Sequence, residues 1–325
     1  LSLAVLPRHL RTPLATAYLV ARAADTVADT RAVRPAERRE LLAELRDSLA
    51  RPERIGATAA HARTSLAGGR LATPDAERRL LERLDDCLHA LHRLDPDDRH
   101  RTRWVLETLI DGMRRDLERF PAEGSGELRA LGTLDDLDEY CWFAAGCVGE
   151  YWTRLTAAHD SALRALDDPA AIERGVRLGK ALQLVNVLRD AAADLRIGRC
   201  YLPRALLAGE GLEPRDLTTP LGRLRARPVL ETVRRLALDH ADAAWPYVLA
   251  VPPKRPRERL AALWPLWIAL GTLARLRDAP DPLDPDHPVK IRRSELYVIL
   301  AESTAAVAVD ALLDMSYRRR RAAAS

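Results

Sequence analysis

The sequence lacks several patterns that mark common kinds of functional site. Its four cysteines form none of the CxxC pairs that zinc sites use. There is no GxGxxG dinucleotide fingerprint, no GxxxxGK[ST] phosphate loop and no detectable internal repeat. The sequence therefore argues against a zinc centre, a Rossmann domain and a P-loop enzyme. We expect the cysteines to be reduced core thiols of a cytoplasmic protein.

Aromatic residues and long apolar runs are also scarce. Aromatic side chains make up 5% of the chain, whereas Ala, Leu and Arg are abundant, which favours helices over strands. The longest apolar run, about residues 261–274, is shorter than the roughly 18 residues that span a bilayer. The net charge of +4 permits an anionic substrate or a membrane surface and gives no reason to expect nucleic acid. We predict an all-α protein without a transmembrane helix.

Length and periodicity predict one domain over residues 1–325, because 47% hydrophobic content can fill a large core. Leu1 in place of Met predicts a truncated N-terminus. We expect a loop or broken helix at 51–75, a Pro-rich acidic loop at 278–288 and a disordered tail at 318–325. Weak attraction of that Arg-rich tail to anionic lipid is the alternative. Helical patterns are predicted at 14–30, 35–50, 75–94, 97–120, 169–196 and 258–278.

Polar residues line one face of the helix predicted at 169–196. Gln183, Asn186, Asp190 and Asp194 fall at i, i+3, i+7 and i+11, which is one continuous face. The apolar residues between them supply packing surface, so the polar row is expected to line a cavity. Two carboxylates one turn apart suit a hard divalent cation.

A second row near the start of the chain mirrors the first. Tyr18, Arg22, Asp25 and Asp29 also share one helical face. Oxygen-only ligands favour Mg²⁺, which completes its coordination with water and phosphate oxygens. We therefore expect the two aspartate pairs to hold Mg²⁺ around a diphosphate, with Arg22 and Arg189 binding the same group.

Two glycines interrupt the apolar helix predicted around residue 140. Gly146 and Gly149 each cost about 1 kcal/mol of helix stability relative to Ala. Either close helix packing or room for a long bound ligand would explain them.

Three motifs give the chain a resemblance to the squalene and phytoene synthase family. YLVARAADTVAD at 18–29 resembles its first aspartate-rich motif, and QLVNVLRDAAADLRIGRCYLP at 183–203 resembles the second, QxxNxxRDxxxDxxxGRxYLP. YCWFAAGCVG at 140–149, followed by TRL at 153–155, resembles YCxxxAGxVGxxxTRL. The resemblance spans about residues 1–300. VKIRR at 289–293 is similar to a segment of squalene synthases that phytoene synthases lack.

The resemblance implies an isoprenoid (terpenoid) synthase, a single-domain helical bundle around a central active-site cavity. The implied activity is that of a squalene synthase, which condenses two farnesyl diphosphates through presqualene diphosphate to squalene, with Mg²⁺ and NADPH. Squalene would feed hopanoid or sterol synthesis. A bacterial, cytoplasmic and monomeric enzyme is expected, with peripheral contact to a membrane as an addition. The family's Ser-Arg-Ser/Thr-Phe segment would precede Leu1.

Residue roles follow from the same resemblance. Asp25, Asp29, Asp190 and Asp194 are the expected metal ligands. The expected catalytic residues are Tyr140, Tyr18, Arg22 and Arg189. Substrate is expected to contact Arg22, Gln183, Asn186, Arg189, Gly146 and Gly149. NADPH is expected to contact Asn186, Lys290 and Arg292.

Other members of the family keep the same first half-reaction, and the sequence leaves them open. A presqualene diphosphate synthase would stop early, and a dehydrosqualene or phytoene synthase would need no reductant. A non-catalytic helical scaffold is a more distant alternative.

Overall fold

The structure, a computed structural model, describes residues 2–31, 33–67, 75–121 and 126–325. Nearly all regular structure in these ranges is helical, so the predicted all-α fold class is confirmed. The α-helices are α1 (Ser2–Val5), α2 (Arg8–Asp29), α3 (Pro35–Ser48), α4 (Ile55–Ala67), α5 (Asp75–Glu82), α6 (Leu84–His92), α7 (Pro96–Arg119), α8 (Leu134–Cys141), α9 (Cys147–His159), α10 (Pro169–Arg196), α11 (Arg204–Gly209), α12 (Pro220–Arg225), α13 (Arg227–Ala250), α14 (Pro256–Asp278), α15 (Arg293–Ala306) and α16 (Asp310–Ala324).

The contacts within the chain cluster into two compact units. The N-terminal unit comprises residues 8–121, and the C-terminal unit comprises the described residues up to 7 and from 126 onward. In the N-terminal unit, α2 packs against α7, α6 and α3. Arg38, which is buried, donates from Nη1 to the carbonyl oxygen of Ala28 at 2.6 Å and so fixes the end of α2. The single-domain organisation stays a prediction.

Helix α10 is the centre of the C-terminal unit. It packs against α13, α9 and α14, and against a π-helical segment, Trp142–Gly146, that joins α8 to α9. The strands β1 (Arg129–Ala130) and β2 (Arg199–Cys200) form a two-stranded parallel sheet next to the end of α10. Strand β1 precedes α8 and strand β2 follows α10, so their pairing keeps the start of α8 close to the end of α10.

A helical hairpin of α15 and α16 covers α14. Trp264 on α14 donates to the Ser303 hydroxyl on α15 at 2.9 Å. Arg259, also on α14 and fully buried, donates to the carbonyl oxygens of Val248 and Val307 and pairs with Asp310. The hairpin is thus attached to the core by polar contacts as well as by its apolar side chains.

One sequence prediction about local structure was wrong, and another is tested only in part. Of residues 51–75, predicted as a loop or broken helix, 52–54 form a short 3-10 helix and 55–67 form α4, whereas 68–74 lie outside the described residues. The predicted disordered tail at 318–325 is the second half of α16. Arg321 pairs there with Asp242, and Arg320 lies over the Trp267 ring, 4.6 Å from its centroid. These partners are more than fifty residues away, so a local charge run did not reveal them.

Candidate active site

Both ends of α10 follow from local sequence, and the prediction of a helix over 169–196 is confirmed. The Asp168 side chain accepts hydrogen bonds from the Ala170 and Ala171 amides at 2.9 and 3.3 Å and caps the first turn. Gly198 ends the helix with φ +89°, a conformation that strongly favours glycine. The polar row is therefore held on one rigid helix.

The row on α10 is connected by hydrogen bonds to the Tyr140 segment. The Asn186 amide nitrogen donates to Gln183 Oε1 at 3.3 Å, and Gln183 Nε2 donates to the Tyr140 hydroxyl at 3.1 Å. All three side chains are half-buried. The amides thus orient the phenol oxygen that the sequence analysis singled out.

Arg189 and Asp190 form a two-point ion pair on the same helix. Arg189 donates from Nε to Asp190 Oδ1 at 2.8 Å and from Nη2 to Oδ2. The hydrogen bond with Asp190 raises the pKa of Arg189 above its ordinary value. Because the two side chains are 37% and 46% exposed, both remain accessible to a ligand. An anion that bound Arg189 would compete with Asp190 for the guanidinium.

Tyr140 is stacked on a second tyrosine that the sequence analysis did not assign. The rings of Tyr140 and Tyr201 are 4.4 Å apart and 27° from parallel. Buried Arg199 donates to the Tyr201 hydroxyl at 3.4 Å. Arg199 and Tyr201 belong to the GRCYLP end of the second motif, so the motif itself contained the signal. The stack places a guanidinium close to two phenols.

The glycines of the Tyr140 segment allow close packing on α10. A Cβ built on Gly149 would overlap the backbone carbonyl of Gly175, and one on Gly179 would overlap that of Ala145. A Cβ on Gly146 would approach Val176 and Trp142 to 3.3 and 3.2 Å. Close helix packing therefore accounts for Gly149. The substrate contacts expected of Gly146 and Gly149 stay predictions.

An ion pair extends the polar face of α10 by one turn. Lys180 donates to both carboxylate oxygens of Asp138 at 2.8 and 2.7 Å. Buried His240 on α13 lies nearby; its burial, followed by the charges of Arg177 and Lys180, lowers its pKa to about 4. The imidazole is thus neutral at physiological pH. Sequence reasoning missed this group because the residues come from three separate helices.

The first aspartate motif lies in the N-terminal unit, on α2. Arg22 forms ion pairs with Asp25 and with Glu77 of α5. Burial opposes a rise in the pKa of Arg22, but these two carboxylates raise it above its ordinary value. Glu77 was not predicted, because it lies in a different helix. Tyr18 is 57% exposed, which leaves its predicted catalytic role a prediction.

Neither motif forms a cluster of acids by itself. Within the described residues, no group of three or more His, Cys, Asp or Glu side chains is placed to hold a metal ion. Each motif instead offers two carboxylates at i, i+4, which are neighbours on a helix surface. Mg²⁺ is usually bound by one or two carboxylates together with substrate phosphates. The donor set therefore fits Mg²⁺ bound with a diphosphate.

A cationic cavity of about 800 Å³ lies in the C-terminal unit between α14, residues 288–292 and α15. Its charged lining includes four cations, Lys290, Arg292, Arg275 and Arg320, and two acids, Asp278 and Glu295. Arg275 is paired with Glu295 at 2.6 Å, whereas Lys290 makes no ion pair within the described residues. Asn186, the third predicted cofactor contact, is not among the described residues that line the cavity. The cavity suits an anionic ligand.

The four cysteines lie in the protein core. All four are buried and none is in a disulfide. Burial raises the pKa of Cys147 and Cys200 to about 12, so their thiols stay protonated. The prediction that the cysteines are buried in the core is therefore confirmed. No helix in the described ranges is long and apolar enough to cross a membrane.

Comparison with known proteins places the chain among isoprenoid enzymes. The sequence profile of the squalene/phytoene synthase family matches residues 1–295. The 15-cis-phytoene synthase of Enterobacter agglomerans is 34% identical over 132 residues, which are 41% of this chain and 40% of that protein. The 15-cis-phytoene synthase of Synechococcus elongatus is 30% identical over 223 residues, which are 64% of this chain and 65% of that protein. The chain thus spans less than two thirds of the length of these relatives.

Solved structures resemble the whole chain. The complex of TcSQS with the ligand E5700 matches with a TM-score of 0.75 and 24% identity, over 100% of this chain and 86% of that one. A dehydrosqualene synthase in complex with ligand matches with a TM-score of 0.60 and 19% identity, over 94% and 90%. At these identities the likeness shows the fold, which is the terpenoid synthase fold predicted from the sequence.

Proposed function

Because the chain belongs to the squalene/phytoene synthase family, we propose that it condenses two farnesyl diphosphates head to head and reduces the product to squalene. Presqualene diphosphate would be the intermediate between the two half-reactions. The observation that carries the reductive step is the cavity with Lys290 and Arg292 in its wall. These cations belong to the segment whose sequence distinguishes squalene synthases from phytoene synthases.

We propose that Asp25, Asp29, Asp190 and Asp194 hold Mg²⁺ with the substrate diphosphate. When bound, Mg²⁺ would supply positive charge that stabilises the departing diphosphate. Arg22 and Arg189 are proposed to bind diphosphate oxygens. Both guanidiniums are engaged by carboxylates in the structure, so diphosphate has to exchange with those partners. Such an exchange keeps each arginine charge-paired before and after substrate binds.

The proposed role of Tyr140 is to stabilise the allylic cation left after diphosphate departs, or to take the proton that the coupled cation loses when the cyclopropane ring of presqualene diphosphate closes. A phenol offers both an oxygen and a π face for this purpose. Gln183 donates to the Tyr140 oxygen and so orients the phenol. Stacking on Tyr201 restricts rotation of the ring. Asn186 acts through Gln183, so it is a positioning residue in this proposal.

The cavity next to α15 is proposed as the NADPH site. NADPH would supply the hydride that ends the second half-reaction. Lys290 is proposed to bind a phosphate, because it is exposed, lines the cavity and has no ion pair within the described residues. Arg292 lies two residues further along and lines the same cavity.

A second candidate is a synthase that makes phytoene or dehydrosqualene without a reductant. It is favoured by the sequence comparisons, because the relatives named above are 15-cis-phytoene synthases. The same aspartates, arginines and Tyr140 would serve its first half-reaction. Only the reductive step and the length of the prenyl substrate differ between the two candidates.

Product analysis separates these functions. The purified protein is incubated with Mg²⁺ and either farnesyl or geranylgeranyl diphosphate, with and without NADPH. We expect squalene from farnesyl diphosphate only when NADPH is present, and presqualene diphosphate to accumulate without it. A C40 product from geranylgeranyl diphosphate would support the phytoene synthase, and dehydrosqualene made equally with or without NADPH would refute the reductive step. No turnover of any substrate would favour the non-catalytic scaffold.

Replacement of Lys290 by alanine tests the cofactor site. We expect the KM for NADPH to rise about tenfold, since one charge-assisted contact is worth about 1.5 kcal/mol. Formation of presqualene diphosphate should change less than twofold. Lys254 is a control, because it is an exposed lysine in a turn outside the cavity. Equal loss of both half-reactions in the Lys290→Ala variant would contradict a cofactor role.

A further inference from the structure

One exposed row of α15 carries no charged residue; after the first turn, the charged side chain on this helix is Glu302, which is 38% exposed and paired with Arg319 and Arg320. Ser294, Tyr297, Ala301 and Ala305 fall at i, i+3, i+7 and i+11, and all four are exposed. Tyr297 is 63% exposed, and the adjacent Val298 is 52% exposed. Surface helices normally place charged residues on their solvent side. This face is therefore unusual in a chain with 30% charged residues.

The neighbouring helix continues the apolar surface. On α16, Leu312 and Met315 are 43% and 64% exposed, and Val309 just before the helix is 46% exposed. The opposite sides of both helices are buried, and both helices pack against α14. The exposed residues consequently point away from the core. We call Tyr297, Val298, Val309, Leu312 and Met315 the outer hairpin face.

Positive charge is concentrated around this face. Residues 288–325 contain seven lysines and arginines against four aspartates and glutamates, a formal charge of +3, whereas the whole chain has +4. Arg318 and Arg319, one turn beyond Met315, have side chains that are 79% and 65% exposed; they pair with Asp314 and Glu302 at 2.8 and 2.9 Å, so a lipid phosphate would share them with these carboxylates. Arg292 and Arg293 at the start of α15 are also exposed. Exposed apolar side chains bordered by arginines are typical of helices that lie on membranes.

We propose that the outer hairpin face docks on an anionic lipid surface. The apolar side chains would enter the boundary between headgroups and acyl chains, and the arginines would contact lipid phosphates. Charge favours this occupant over a second copy of the chain, because two copies joined through this face would bring two positive regions together. The biological reason for docking rests on the proposed function, because a long hydrocarbon product is insoluble in water and has to be released into lipid.

Docking through the outer hairpin face would also fix where the cavity beside α15 lies relative to the membrane. Val298 belongs both to the outer hairpin face and to the cavity wall, and Arg292 borders both. The cavity therefore opens next to the proposed lipid contact. Docking would place it at the headgroup level.

Vesicle binding tests the proposal without any substrate. The full chain is sedimented with vesicles of phosphatidylcholine alone or mixed with phosphatidylglycerol. We expect binding to the mixed vesicles, and a loss of at least tenfold in the partition coefficient for a Tyr297→Ser, Leu312→Ser, Met315→Ser variant. An Arg318→Gln, Arg319→Gln variant should lose about fivefold or more on mixed vesicles, and little on neutral ones.

A matched control comes from exposed leucines elsewhere in the same unit. Leu221 and Leu224 on α12 are 68% and 60% exposed, and arginines occupy positions 223 and 225 beside them. A Leu221→Ser, Leu224→Ser variant should bind within twofold of the unchanged chain. The proposal is overturned if this control loses as much binding as the triple variant, or if the unchanged chain binds neither kind of vesicle.

Two further measurements separate lipid docking from dimerisation and from loss of the fold. If the unchanged chain dimerises and the triple variant is monomeric with equal vesicle binding, a second copy covers the face and lipid docking is wrong. Circular dichroism should show the same helix content in all variants, because every replaced side chain is exposed. Turnover in detergent solution should also be unchanged. If the unchanged chain binds vesicles but turns over no prenyl diphosphate, the proposed function is wrong while lipid docking stands.

Discussion

Replacement of Asp190 by asparagine is expected to lower turnover at least about a thousandfold while the fold stays intact. Asparagine keeps the shape of the side chain but removes the charge and one of the two oxygens that Arg189 now contacts. The proposed metal would lose a ligand, and Arg189 would lose the partner that holds it in place. Because the Asp190 side chain is 46% exposed, no buried charge is left unpaired.

Steady-state kinetics over a range of Mg²⁺ concentrations measures this effect. The Asp190→Asn variant should need more Mg²⁺ for its residual activity, which a merely structural role would not produce. Asp135→Asn is a suitable control, because Asp135 is an exposed acid in the first turn of α8. The metal assignment is wrong if the Asp190→Asn variant retains near-normal turnover with an unchanged Mg²⁺ requirement.

Replacement of Gly149 by alanine is expected to lower the free energy of unfolding by about 2 kcal/mol. The added methyl group would overlap the Gly175 carbonyl, and overpacking of this kind costs about 3 kcal/mol. Alanine recovers about 1 kcal/mol through its higher helix propensity. Thr153, which donates to the Gly149 carbonyl at 2.8 Å and lies 3.0 Å from the Tyr247 hydroxyl, limits any sideways movement.

Urea unfolding followed by circular dichroism measures this loss. Gly209→Ala provides the control, because Gly209 is an exposed helix-end glycine with nothing within 4 Å of an added Cβ. Its unfolding free energy should change by less than about 0.5 kcal/mol. If Gly149→Ala were as stable as the unchanged chain but bound substrate poorly, room for a prenyl tail would be the better account of this glycine.

The helices of this protein could be predicted from the sequence where capping residues and hydrophobic periodicity lie within or next to the helix. The Asp168 cap, the polar periodicity and Gly198 lie within or beside α10, so its position could be predicted at both ends. Thr133 caps α8, with Asp136 completing a reciprocal pair of hydrogen bonds three residues away, which is also a local signal. The motif residues on these helices were identifiable for the same reason.

The sequence did not predict features that depend on distant contacts. Glu77 reaches Arg22 from another helix, and Tyr201 reaches Tyr140 only because β2 returns beside β1. The Arg-rich end of α16 is ordered by Asp242, Glu302 and Trp267, none of which is near in sequence. Periodicity and charge patterns contain no information about such partners.

Hydrogen exchange in the small parallel sheet can report whether the stack of Tyr140 and Tyr201 is intact. The Arg129 amide donates to the Gly198 carbonyl, and the Leu131 amide to that of Cys200, each at 3.0 Å. Separation of the strands would release Tyr201 from Tyr140 and expose both amides to solvent. Deuterium uptake at these two positions would therefore follow the integrity of the stack in solution, without a substrate or a spectroscopic label.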